Sequence, residues 1–298
     1  MEFFPFSNKP GFCRVICPSG NHPVRMNRAY VFHQDMRLII PFSFALLASN
    51  SFAFDTSRIE DPEVRACADR ALPTATARQL QRIEVVGADG FTRESKRIMF
   101  WQRSPNNDSK LFIQVTEPVG DKGVSVLISD NAESNNVTYL TFSPKIRRVR
   151  RVTGESFFGS VLGTDFTYED FSYFYRVDER EEVERVADDQ VDGYPAYVLE
   201  TIKPGENSHY SLVRFFVDQD ICLPMQTDFI GPNGSLRKQL LVDRQEVQPD
   251  GERWIPYRTE MRDLKLNTKT VFIVEEVEID PDLDPSLFEP SALRREIQ

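Results

Sequence analysis

The chain has 298 residues, 36 Lys and Arg against 46 Asp and Glu, and a net charge of −10. Such a surface repels nucleic-acid phosphates, which excludes non-specific DNA or RNA binding, and it argues against non-specific adhesion to anionic lipid. Three histidines, with only His209 beyond the first 33 residues, remove most hydrolase and metal arrangements, because those use imidazole as base or ligand.

Residues 1–35 carry no clear periodicity. Cys13 and Cys17 lie there without a second Cys/His pair at metal-ligand spacing. We read the stretch as a non-native N-terminal extension ahead of a true start at Met36. Met36-Arg37, the apolar run Leu38 to Leu47 and the small residues Ser51 and Ala53 have the layout of a secretory signal peptide. The run is about half the roughly 20 residues that cross a bilayer, so residues 36–53 are expected to be cleaved after Ala53 in a periplasmic export route. The competing reading is an uncleaved anchor or a buried helix. Residues 54–298 then form one domain, with 31 basic and 44 acidic residues left of the original 36 and 46. It retains two cysteines, Cys67 and Cys222. They either pair, in a compartment where disulfides persist, or stay as two core thiols.

Asp61-Pro62-Glu63 predicts a helix to Leu72, with Asp as cap, Pro first and an acid in the opening turn. From about residue 80 the pattern becomes that of strands: Leu80 to Val86, Phe91 to Gln102, Lys110 to Thr116, Val124 to Ser129, Val137 to Phe142 and Arg147 to Val152. Ser156 to Phe174 is irregular and predicts short helices. Strands resume at Glu179 to Ala187, Tyr194 to Ile202, Tyr210 to Val217, Leu223 to Ile230, Leu236 to Val247, Arg253 to Leu264 and Thr268 to Ile279. Asp89-Gly90, Asp192-Gly193, Asn233-Gly234 and Asp250-Gly251 mark tight turns. Neighbours joined so tightly must be antiparallel, and a sheet of this many strands must curl or close to manage its edges. Ile98 to Trp101 and Leu111 to Ile113 are apolar on both faces, so each face meets something apolar.

Residues 54–298 contain no G-x-S-x-G elbow, phosphate-cradling glycine loop, H-E-x-x-H or C-x-x-C. The expectation is a protein that is not an enzyme, without catalytic residues, metal or cofactor. Glu179, Glu181, Glu182 and Glu184, interleaved with Arg180 and Arg185, read as a solvated face rather than a glycosidase pair. Lys145, Arg147, Arg148, Arg150 and Arg151 form a basic patch inside an acidic chain: a solvated face, or a partner-binding patch that steers a negatively charged protein or head group.

Tyr139 to Val152 (YLTFSPKIRRVRRV), Ser156 to Ser160 (SFFGS) and Thr164 to Phe171 (TDFTYEDF) together resemble the LolA-like family of outer-membrane lipoprotein-sorting proteins. Pro118 to Ser129, Val191-Asp192-Gly193 and Asp284 to Phe288 resemble flanking motifs of that family, so the similarity spans most of the mature chain. The resemblance implies a mainly β fold: a large curved antiparallel sheet forming a half-open β-barrel of about eleven strands, covered by a lid of short helices. It also implies an apolar cavity that escorts a lipid, or the acyl chains of a lipoprotein, toward the outer membrane. The partners would be an inner-membrane lipid exporter or an outer-membrane acceptor. Met99, Trp101, Phe112, Ile113, Leu127 and Leu140 are the candidate wall, and Phe157, Phe158, Leu162, Phe166 and Phe171 the lid or rim. The rival reading is a periplasmic sensor or exporter-associated interaction module that transports nothing itself.

Overall fold

A computed structural model describes residues 61–297 apart from 72–74, 107, 132, 135, 174–182, 202–207 and 251–252. The extension, the signal peptide and its cleavage after Ala53 lie outside the described residues, as do Glu179, Arg180, Glu181 and Glu182.

The described residues open on α1 (Pro62–Ala71), where the Asp61 carboxylate accepts the amides of Glu63 (2.9 Å) and Val64 (3.2 Å) and so satisfies two of the free donors of a helix start. A first meander follows: β1 (Thr76–Val86), β2 (Thr92–Arg103), β3 (Ser109–Glu117), β4 (Ser125–Asn131), β5 (Asn136–Ser143) and β6 (Arg148–Arg151). A largely irregular segment, residues 153–173, contains the 3-10 turn Gly154–Phe158 and α2 (Tyr168–Ser172). The second set comprises β7 (Val183–Arg185), β8 (Asp189–Val191), β9 (Tyr194–Thr201), β10 (Leu212–Asp218), β11 (Pro224–Ile230) and β12 (Leu236–Val242), then β13 (Val247–Asp250), β14 (Arg253–Pro256), β15 (Arg258–Asp263) and β16 (Thr268–Ile279).

Fourteen of these strands form one antiparallel sheet ordered β6-β5-β4-β3-β2-β1-β16-β15-β12-β11-β10-β9-β7, with β8 also on β9. It does not close into a barrel. The fold class is therefore the mainly β, half-open one expected, with more and shorter strands. The two meanders meet at the β1–β16 pair, which runs from Val86↔Lys269 to Ala77↔Ile279 and ties the beginning of the sheet to its last strand. At the β8–β9 turn Asp192 (φ 51°) and Gly193 (φ 84°) both take the left-handed conformation, as a two-residue hairpin of matching twist requires.

The two long strands expected at Leu236 to Val247 and Arg253 to Leu264 are each broken. Asp243 caps a 3-10 turn over Arg244–Glu246, and Pro249 and Pro256, which have no amide to donate, sit in a separate two-stranded ribbon of β13 and β14.

Alternation along the strands divides the core in two. The inner face carries Met99, Trp101, Leu111, Ile113, Val126, Ile128, Tyr139, Leu199, Phe215 and Phe229, packed against Val64 of α1 and Phe166 and Phe171 of the irregular segment. The outer face carries Ile98, Phe100, Phe112, Leu127 and Phe142, covered by the C-terminal segment through Phe288, Ala292 and Leu293. Two buried polar side chains hold that segment down. Ser125 Oγ donates to the Leu293 carbonyl (2.9 Å), and Gln114 donates to the Arg295 carbonyl (2.7 Å) while accepting the Ile297 amide (2.8 Å). Cys67 of α1 is disulfide-bonded to Cys222 in the β10–β11 turn, with Cα atoms 5.1 Å apart.

Candidate functional site

Residues 153–173 leave the free edge at β6 and cross the inner face as a strap. Leu162 (φ 53°) and Gly163 (φ 75°) turn it over, and the Thr164 hydroxyl locks the turn on the Val161 carbonyl at 2.7 Å. Asp165 then binds the middle of the sheet: its carboxylate accepts from Thr268 and Thr270 of β16, and its amide donates to Thr270 Oγ1 (2.9 Å). Phe166 follows into the apolar cluster, 5.3 Å from the Phe272 ring and 5.4 Å from that of Phe171.

Thr167 and Asp170 form a reciprocal capping box that starts α2: the Thr167 amide donates to Asp170 Oδ2 (2.7 Å) and the Asp170 amide to Thr167 Oγ1 (3.1 Å). The same Asp170 carboxylate receives Lys238 Nζ of β12 (2.8 Å) and the Tyr210 hydroxyl (2.6 Å). Burial, then the Asp170 charge, pushes the Tyr210 phenol above its ordinary range. Next to it Glu169 Oε1 accepts from Ser208 Oγ and the His209 amide, both at 2.7 Å, and burial raises its carboxyl above the usual value. The strap is thus apolar where it meets the interior and polar where it is fastened.

Two clefts flank it. One, of about 560 Å³, lies under the Leu162 turn between β1, β2, β3 and β5, with Arg97, Ser95, Val115, Thr141 and Tyr168 in its lining. The other, of about 680 Å³, is lined by Tyr139, Arg151, Val152, Phe157, Phe158 and His209, with the Phe158 and His209 rings 4.0 Å apart. Among the described residues no group of three or more His, Cys, Asp and Glu side chains is placed to hold a metal.

The sequence model of a family described as an uncharacterized protein matches residues 107–295, more than half of the chain. Among solved structures, an outer membrane lipoprotein-sorting protein domain from Vibrio parahaemolyticus superposes with a TM-score of 0.68 at 17% identity, over 78% of this chain and 97% of that one. A DUF1329 family protein from Desulfovibrio piger gives 0.69 at 20%, over 78% and 96%. A LolA superfamily protein from Nitrosomonas europaea gives 0.58 at 17%, over 77% and 97%. The chain belongs to this uncharacterized-protein family, and it has the LolA-like fold. No curated protein matches it by sequence.

The LolA-like sheet does not bring all the candidate wall residues together. Met99, Trp101 and Ile113 lie on the inner face beneath the strap. Phe112, Leu127 and Leu140 lie on the opposite face, where the C-terminal segment covers them. Phe112 and Ile113 are adjacent in β3, and adjacent strand residues point to opposite sides. Of the strap residues, Phe166 and Phe171 are buried in the interior, Leu162 and Phe157 pack against it part-exposed, and Phe158 lines the larger cleft.

The basic residues also separate. Lys145 and Arg147 sit in the β5–β6 hairpin, Lys145 paired with Asp121 at 3.0 Å, while Arg148, Arg150 and Arg151 are exposed on the edge strand β6. Glu184 is exposed and Arg185 pairs with Asp61 and Asp188, both at 2.8 Å.

Sequence reasoning passed over Arg97, Asp170 and Lys238. Two of them had a signal: Arg97 shares the period-2 face of Met99 and Trp101, and Thr167-x-x-Asp170 has the spacing of a capping box. Nothing local marks Lys238.

Proposed function

We propose that this protein is a periplasmic carrier that takes a lipid, or the acyl chains of a lipoprotein, onto the inner face of its sheet and escorts it toward the outer membrane. One observation carries the reading. The strap places Phe166 and Phe171 in the same apolar cluster as Met99, Trp101 and Ile113, yet its fastenings to the sheet are hydrogen bonds and one ion pair. Such a segment exchanges apolar contacts with an acyl chain at little net cost, since one hydrocarbon surface replaces another. Each methylene so buried is worth roughly 0.8 kcal/mol, which retains a chain against water. Superposition on an outer membrane lipoprotein-sorting protein domain supports a carrier-type fold. An inner-membrane lipid exporter as donor and an outer-membrane acceptor fit this role.

The test is native mass spectrometry with lipid extraction of the protein purified from its own periplasm. A stoichiometric lipid or acylated protein is the expected result. A ligand-free protein that also ignores added acylated ligands sinks the carrier reading.

A second reading rests on a different observation. The sheet ends on β6, whose free edge presents Arg148 and Arg150 to solvent. Charges of this kind protect an edge, and they would equally suit an acidic strand of a partner; this favours the interaction module, and a pull-down lost on Arg148→Glu/Arg150→Glu would establish it.

A further inference from the structure

We propose that the cleft at Arg97 binds the oxyanion head group, phosphate or carboxylate, of an acyl amphiphile whose chain lies on the inner face. The inference rests on the carrier reading and names the chemistry of its ligand.

Arg97 follows Ser95 and precedes Met99 and Trp101 on the inner face of β2, at the point where the polar end of the cleft meets the apolar interior. Its side chain is buried, with 4% of the residue exposed. Among the described residues no carboxylate pairs with it. Nη2 donates to the Leu162 carbonyl of the strap at 2.8 Å, and the buried Nε has no partner. Burial alone draws the guanidinium pKa down to about 9, so the charge is held at neutral pH. Among the described residues the other buried cation, Lys238, has the Asp170 carboxylate at 2.8 Å. A buried cation without a counter-charge is costly, and an anion that enters relieves the cost.

The cleft also suits the ligand. Its volume of about 560 Å³ admits a phosphate with its substituent. The Ser95 and Tyr168 hydroxyls line it and can donate to oxyanion oxygens, Thr141 and Ser160 line it with their hydroxyls donating to the Ser125 carbonyl (3.3 Å) and the Thr164 carbonyl (2.6 Å), and Arg93 stands at its mouth. Its two acids are engaged elsewhere, Glu94 with Arg82 at 3.6 Å and Asp121 with Lys145 at 3.0 Å. A planar guanidinium offers a fork matched to phosphate or carboxylate. The fork reaches one strap carbonyl now, so a bound head group would compete with Leu162 for Nη2.

The experiment is calorimetric titration of the whole protein with a single-chain phosphatidylglycerol, a fatty acid, an uncharged monoacylglycerol of equal chain length, and inorganic phosphate. Both anionic amphiphiles should bind at least about tenfold more tightly than the monoacylglycerol, the size of one charge-assisted hydrogen bond. Arg97→Gln should remove that difference while leaving monoacylglycerol affinity in place, and Arg97→Lys should keep part of it. Should Arg97→Gln fail to fold, the wild-type ratio and its reduction in Ser95→Ala/Tyr168→Phe carry the same test. Equal affinities for all three amphiphiles, or a preference that survives these variants, overturns the head-group site and leaves the carrier reading standing. No amphiphile binding overturns both. Binding of inorganic phosphate at Arg97 without amphiphile binding makes the cleft a free-anion site instead.

Discussion

Lys238 Nζ of the sheet stands 2.8 Å from Asp170 Oδ2 of the strap, and the two side chains are 3% and 0% exposed. The pair joins residues 68 positions apart and fastens α2 over β12. Its worth is chiefly that neither charge is left alone. Asp170→Ala strands the ammonium in the interior and should cost about 3–5 kcal/mol, measured by urea denaturation. Adding Lys238→Met to that variant should recover part of the loss. A double variant no more stable than Asp170→Ala would show that the stranded charge is not the reason.

Glu169 makes the strap pH-sensitive. Burial raises its carboxyl above 4.5, against the opposing hydrogen bonds from Ser208 and His209. Between the unfolded and folded pKa values the native state therefore binds more protons than the unfolded one, so stability falls as pH rises through that window and is gained as pH is lowered through it. Thermal melts of the wild type and Glu169→Gln, taken from acid to neutral pH, should diverge, with the wild type losing stability relative to the variant as pH rises through the window. Parallel curves would rule out Glu169 as the source of that loss.

Cys67–Cys222 bridges a sequence separation of 155 residues and ties α1 to the β10–β11 turn. Removing a cross-link over so long a loop enlarges the unfolded ensemble, and Cys67→Ser/Cys222→Ser should lose about 2–5 kcal/mol. A reductant should lower the melting temperature of the wild type and leave the double variant unchanged.

The two faces of β2 and β3 separate binding from stability. Phe112→Ala opens a cavity under Phe288 and Leu293 and should cost about 3–5 kcal/mol without altering acyl-ligand affinity in the folded fraction. Trp101→Gln, on the inner face, should weaken that affinity. An equal loss of affinity from both would contradict the division of faces.

What the sequence by itself determined was whatever depends on near neighbours. Strand periodicity, the Asp192-Gly193 turn and the Asp61-Pro62 helix start are set by residues a few positions apart, and TDFTYEDF with its flanking motifs pointed to the LolA-like fold. Only the tertiary structure decided which apolar face is the interior. Ile98 to Trp101 and Leu111 to Ile113 are apolar on both sides, and alternation states that two faces exist without saying that the C-terminal segment covers one and the strap the other. The same holds for the polar fastenings. Arg97 meets Leu162 across 65 positions and Asp165 meets Thr270 across 105, and contacts of that range follow from the curl of the whole sheet, which no local pattern encodes.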